Sequence, residues 1–163
     1  MDLQDSLMAS NSLLQRLEDF YRGKSWVTDQ VGTVVFDMDS TVAFKKITGY
    51  HHSVAEQLAH LIAWRNFAVQ KFSGNDNFDL EDNSPEDWPE PNDWSQLRDQ
   101  FAECQQNLLA SIRNFDPQKW DALVPLRAYS FLYLANGIIE HDYYHFGQIN
   151  ALLAAIRTAC PSC

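Results

Sequence analysis

The sequence predicts an all-α protein, a four-helix bundle, on three observations. Four long segments carry apolar residues at helical spacing. Gly and Pro are scarce, six each in 163 residues, and cluster mainly between those segments. Strand signal is confined to one short run, residues 33–42, and no internal repeat is present. The expected architecture is a single domain over residues 1–163, with a C-terminal tail from about 158. It has a long loop or short helices between helices one and two, and an acidic, proline-containing loop between helices two and three.

The first helix is read over residues 3–21, with Leu3, Leu7, Leu14, Leu17 and Tyr21 at helical spacing and Gly23 as its stop. Ser53 opens the second helix as the first residue of an S-x-x-E capping box closed by Glu56. From Val54 to Phe72 that helix is apolar on more than one side, so it belongs in the centre of the bundle. Residues 75–93 are acidic and hold Pro85, Pro89 and Pro91; they read as a loop anchored by Trp88. Asn92 or Asp93 caps a third helix to about Asn114, with Leu97, Phe101, Cys104, Leu108 and Ile112 on one face. A short turn from Asp116 reaches Pro125, and the fourth helix runs from about Ala128 to Thr158.

The exceptional run is T-V-V-F-D-M-D-S-T. It matches the D-x-D-x-T loop of haloacid-dehalogenase-type phosphatases, in which the first aspartate, here Asp37, is the nucleophile. That chemistry needs a parallel sheet with the nucleophile at a strand end, and later acidic residues for Mg²⁺. Long helices follow instead. The run is therefore expected to be structural: Thr28 or Asp29 capping a turn of helix through Phe36, and Asp39 or Ser40 capping another into Phe44. Val34, Val35 and Phe36 would then pack on the bundle.

Composition narrows the function classes. The net charge of −10 and pI near 4.7 disfavour binding to nucleic-acid phosphates. No run of about 18 apolar residues predicts a membrane span, and the N-terminus lacks signal-peptide patterning, so a cytoplasmic protein is expected. Three cysteines make no disulfide framework. Cys160 and Cys163 form C-P-S-C, which reads as a frayed tail rather than a redox motif opening a helix.

Of five histidines, three carry the chemistry. His141 and His145 are four residues apart and project from one side of the fourth helix, the spacing with which two imidazoles hold one metal ion. Ile138, Ile149, Leu152 and Ile156 share the face of His145, so the pair points inward. Burying two imidazoles is costly unless each is hydrogen-bonded or coordinated. A third ligand is expected from another helix, and His60 is the only histidine inside helix two. Three neutral nitrogens suit Zn²⁺, Ni²⁺ or another borderline divalent ion. Asp142, near the inner face, can orient a histidine, act as a base, or lie on the surface. Gln148, seven residues beyond His141, can bond a ligand or a bound water. Tyr144 is read as packing, Glu56 as spent on the cap, and His51 and His52 are given no role.

These residues resemble the DinB superfamily, with its YfiT-like relatives. The resemblance rests on A-x-x-L-A-H-L-x-x-W around His60, G-I-I-E-H-D-x-Y-H-x-G-Q-I around His141 and His145, and H-S-V-A-E-Q-L and D-W-P in the family's order. It implies a four-helix bundle with a three-histidine metal site formed by His60, His141 and His145, and often a homodimer. It also implies a metal-dependent transferase that joins a low-molecular-weight thiol to a small electrophilic substrate. A hydrolase using water in place of the thiol, a zinc protease with Asp142 as base, and a metal-stabilised bundle without catalysis are the competing readings.

Overall fold

Ser53 starts its helix with the reciprocal cap that the sequence predicts. Its hydroxyl accepts from the Glu56 amide at 3.3 Å, and the Glu56 carboxylate accepts from the Ser53 amide at 2.7 Å. The computed structural model describes residues 2–26 and 31–159. The helices are α1 (Leu3–Arg22), α2 (Val31–Phe36), α3 (Ser40–Ala43), α4 (Val54–Phe72), α5 (Trp94–Asn114) and α6 (Phe131–Ala159), with a 3₁₀ turn at Pro117–Lys119. The four long helices form a bundle in which α4 is central, packing on α5 and α6, while α1 lies against α5 and α6. Among the described residues no strand forms; Leu123 and Ser130 make one isolated bridge. No helix among them is long and apolar enough to cross a membrane.

The ends of the helices follow local chemistry. Asp2 caps α1, and Gly23 closes it at φ 72°, a left-handed conformation that favours glycine. Asp93 caps α5, accepting from the Gln96 amide at 3.0 Å. The last helix starts three residues later than the periodicity suggests, because the Ser130 hydroxyl accepts from the Tyr133 amide and sets the boundary.

One expectation changes. The buried stripe of α1 is Ser6, Leu13, Leu17 and Phe20, and Leu3 and Leu7 are exposed. The helix is turned so that the larger Phe20 goes inside, where its ring makes edge contacts with Tyr143 and Phe146 at 4.9 and 5.7 Å. The T-V-V-F stretch ends α2, as expected, and Asp37, Met38 and Asp39 link it to α3; a strand has no partner here, and the branched residues pack equally well on helices. Val31 and Val35 are buried, and Asp39 caps α3 by accepting from the Thr41 amide at 2.7 Å. Arg98 and Trp94 of α5 donate to the Phe36 and Met38 carbonyls at 2.7 and 2.9 Å, satisfying groups at the end of α2. The proposed Thr28 and Asp29 caps and the Cys160–Cys163 tail lie outside the described residues.

A polar layer divides the core. One apolar cluster gathers Phe20, Leu58, Phe101 and Phe146; the other gathers Leu17, Phe67, Leu108 and Ile139. On α4, α5 and α6 the residues between them are Arg65, Gln105 and Asp142, all buried. Arg65 Nε and Nη2 donate to Asp142 at 3.0 and 2.7 Å, and Nη1 donates to Gln105 Oε1 at 2.8 Å. Gln105 Nε2 donates in turn to the Leu17 carbonyl at 3.3 Å, so one network touches all four long helices. This layer fixes α6 against α4 beside the histidines.

Candidate metal centre

Helical geometry alone brings His141 and His145 to one face of α6, with ring centroids 4.3 Å apart. His60 approaches from α4, at 4.8 Å from the His141 ring and 4.5 Å from the His145 ring. One ligand atom from each of the three lies within 4.8 Å of the others, and no fourth ligand joins the group among the described residues. The structure thus brings His60, His141 and His145 together in one cluster.

The outer nitrogens of two of the rings are already occupied. His60 Nδ1 is 2.8 Å from both the Asp87 carbonyl and its carboxylate Oδ1. Both are acceptors, so Nδ1 carries the proton and Nε2 of the neutral ring is a bare lone pair. His145 Nδ1 donates to Gln57 Oε1 at 2.6 Å, which has the same effect. A partner that holds the far ring nitrogen is the usual support of a metal-ligating histidine. Asp87 is itself secured: Trp64 Nε1 donates to Oδ1 and the Asn83 amide to Oδ2, each at 2.7 Å.

His141 is the ring left unsatisfied. Its Nδ1 is buried with no hydrogen-bond partner, and its Nε2 faces His60 Nε2 at 3.0 Å. If Nδ1 holds the proton, two lone pairs oppose each other at that distance. If Nε2 holds it, a buried acceptor is orphaned. A cation between the rings removes the first conflict, and two nitrogens ~2.0–2.1 Å from a tetrahedral Zn²⁺ sit about 3.3 Å apart. The residues present therefore fit a divalent ion.

Electrostatics keep the three rings in the form a metal needs. Burial, with the neighbouring His145 and His60, pushes His141 down to about 3. Burial and His60 push His145 down to about 4, against an opposing hydrogen bond to Gln148. His60 is also lowered by burial, with Asp87 pulling the other way. All three are neutral near pH 7.

Trp88 completes the wall. Its indole is parallel to the His60 ring at 3.9 Å and, on its other face, to His52 at 3.7 Å. The three histidines line a cavity of about 820 Å³, a normal size for a small-molecule site. Gln148 lines it as well. Asp142 does not: it is the bidentate partner of Arg65, and the structure gives it neither a histidine contact nor a place on the cavity wall. Burial raises the Asp142 carboxyl, against the pull of Arg65. Tyr144, read as packing, is exposed at the cavity with its ring 5.0 Å from His145.

Sequence reasoning gave no site role to Asp87, Gln57, Trp88 or His52. The D-W-P tripeptide was a signal for two of them, because it places an acid and an aromatic together in an otherwise unpatterned loop.

Fold and site together define a helical bundle with a three-histidine candidate metal centre. The chain belongs to the DinB superfamily, whose sequence pattern matches residues 25–149. No curated protein and no solved structure matches it.

Proposed function

We propose that the protein is a metal-dependent transferase that joins a low-molecular-weight thiol to a small electrophilic substrate. The observation that carries this reading is the placement of three neutral imidazoles, and no fourth ligand among the described residues, on the wall of an open cavity. Structural metal sites are usually closed by four protein ligands, whereas catalytic sites keep a position for substrate. His60, His141 and His145 would hold the ion, Zn²⁺ or Ni²⁺ by their chemistry. When bound, it would supply Lewis acidity that keeps a thiol ionised near neutral pH.

The chain's own residues do the remainder. Asp87 and Gln57 hold two rings in the tautomer that presents Nε2. Trp88 keeps the His60 ring from rotating, and Gln148 is placed to bond His145 or a molecule in the cavity. In the reaction the thiol gives its proton to solvent and its sulfur bonds the electrophilic carbon. The leaving group departs with the electron pair of the bond it breaks. The zinc-protease alternative loses support, since Asp142, its proposed base, is bound to Arg65.

The test is thiol consumption by the metal-loaded protein in the presence of activated aryl halides and epoxides. Acceleration that disappears in His141→Ala and on chelation supports the reading. Equal rates for wild type and His141→Ala across Zn²⁺, Ni²⁺ and Mn²⁺ overturn it.

A further inference from the structure

Large aromatic side chains are normally covered, and scattered exceptions mean little. Here three exposed ones share one cavity: Tyr50, Tyr133 and Tyr144 are 41%, 66% and 64% exposed, and all line the space in front of the histidines. Trp88 forms a further flat wall. Tyr133 and Tyr144 are eleven residues apart on α6, so they stand on one stripe three turns apart. Gly137 lies between them and lines the cavity; a Cβ there would meet nothing within 4 Å, so the glycine keeps that stretch open.

The charges of the wall are one-sided. Among the described residues no lysine or arginine lines the cavity, while Asp82 and Asp87 do. Asp87 is buried and satisfied by His60, Trp64 and Asn83, but Asp82 is exposed. Among the described residues three cations act nearby, and each is already paired: the first, Arg65, whose charge reaches His141, is bound to Asp142. Arg127, whose charge reaches Tyr129, is bound to Asp79 and the Leu80 carbonyl. Lys46, whose charge reaches His52, is bound to Glu56. The net charge of −10 adds to the same field.

We propose that the cavity takes a small, flat aromatic molecule, and that in the metal-free chain its own charges favour a neutral or positively charged one over an anion. Exposed rings offer stacking area and cation–π faces, and Asp82 supplies the opposite charge. Resting on the transferase reading, this makes the electrophilic acceptor an aromatic compound; a bound divalent ion would add positive charge to the wall, so the discrimination against anions belongs to the metal-free chain.

The experiment uses three probes of similar size: phenyltrimethylammonium, benzyl alcohol and benzenesulfonate. Each is titrated into the full chain, metal-free and Zn²⁺-loaded, with binding read by tryptophan fluorescence and by calorimetry. The cation and the alcohol are expected to bind the metal-free chain at least about tenfold more tightly than the sulfonate. Asp82→Asn should bring the cation-to-alcohol ratio toward one. Gly137→Leu, which puts a side chain into the cavity and favours helix, should weaken all three with the metal content unchanged. Equal or tighter binding of the sulfonate to the metal-free chain overturns the proposal, as does undiminished binding to Gly137→Leu. Because the order is read on metal-free protein too, a chain that orders the probes as expected but consumes no thiol refutes the transferase reading alone.

Discussion

Arg65 and Asp142 form a bidentate ion pair inside the bundle, with side chains 0% and 1% exposed. Removing one partner of such a pair leaves a buried charge without compensation. Arg65→Met is expected to cost about 3–5 kcal/mol of stability, whereas Arg65→Met with Asp142→Leu should recover most of it. Chemical denaturation of the two variants measures this. A double variant no more stable than the single one would mean that the pair itself is what the fold requires.

Metal binding separates ligands from their supports. Wild type is expected to hold about one divalent ion per chain. Alanine at His60, His141 or His145 should abolish it, by elemental analysis. Asp87→Asn, which leaves all three imidazoles, should keep the stoichiometry but weaken affinity by about 10–100-fold. Wild-type affinity in Asp87→Asn would show that the carboxylate does not orient His60.

Acid should destabilise the metal-free protein in a defined window. An unfolded histidine titrates near 6.5, while folding lowers His141 to about 3 and His145 to about 4. The unfolded chain therefore binds more protons between those values, so the stability from these rings is full above pH 6.5. It is lost as pH falls toward 4 and then 3. Thermal melts in chelator from pH 7.5 to 5 should show a falling midpoint, with a shallower slope for His141→Gln. Identical slopes would mean that His141 titrates normally.

Cys104 should be inert. Burial pushes its thiol up to about 11, and its sulfur donates to the Phe101 carbonyl at 3.2 Å. At pH 8, alkylation located by mass spectrometry should reach Cys104 at least about a hundredfold more slowly in native than in denatured protein. Comparable rates would show that the core opens readily around α5.

Periodic features were the legible ones. The i,i+4 histidine pair, the Ser53–Glu56 box and the apolar stripes of α4 and α5 are set by the helical repeat, so spacing alone reveals them. What spacing does not carry is pairing across the bundle. Arg65 and Asp142 are 77 residues apart, and nothing in the sequence of α6 shows that Asp142 turns toward Arg65 and away from the ligands. On α1 two candidate stripes share Leu17, and only the packing of Phe20 chooses between them. Asp87 and Trp88 lie in a loop, where no period exists to say which side chains turn inward.

The centre is thus assembled from parts of unequal rigidity. Two ligands are preset by the pitch of one long helix. The aim of the third depends on a carboxylate and an indole from the segment between α4 and α5. That segment belongs to no helix, so a change in it can re-aim the third ligand without altering the pitch that presets the other two, and it works as a tuning screw on a fixed frame. A single protease cut between Glu81 and Glu86 would leave every ligand in the chain and still detune the site.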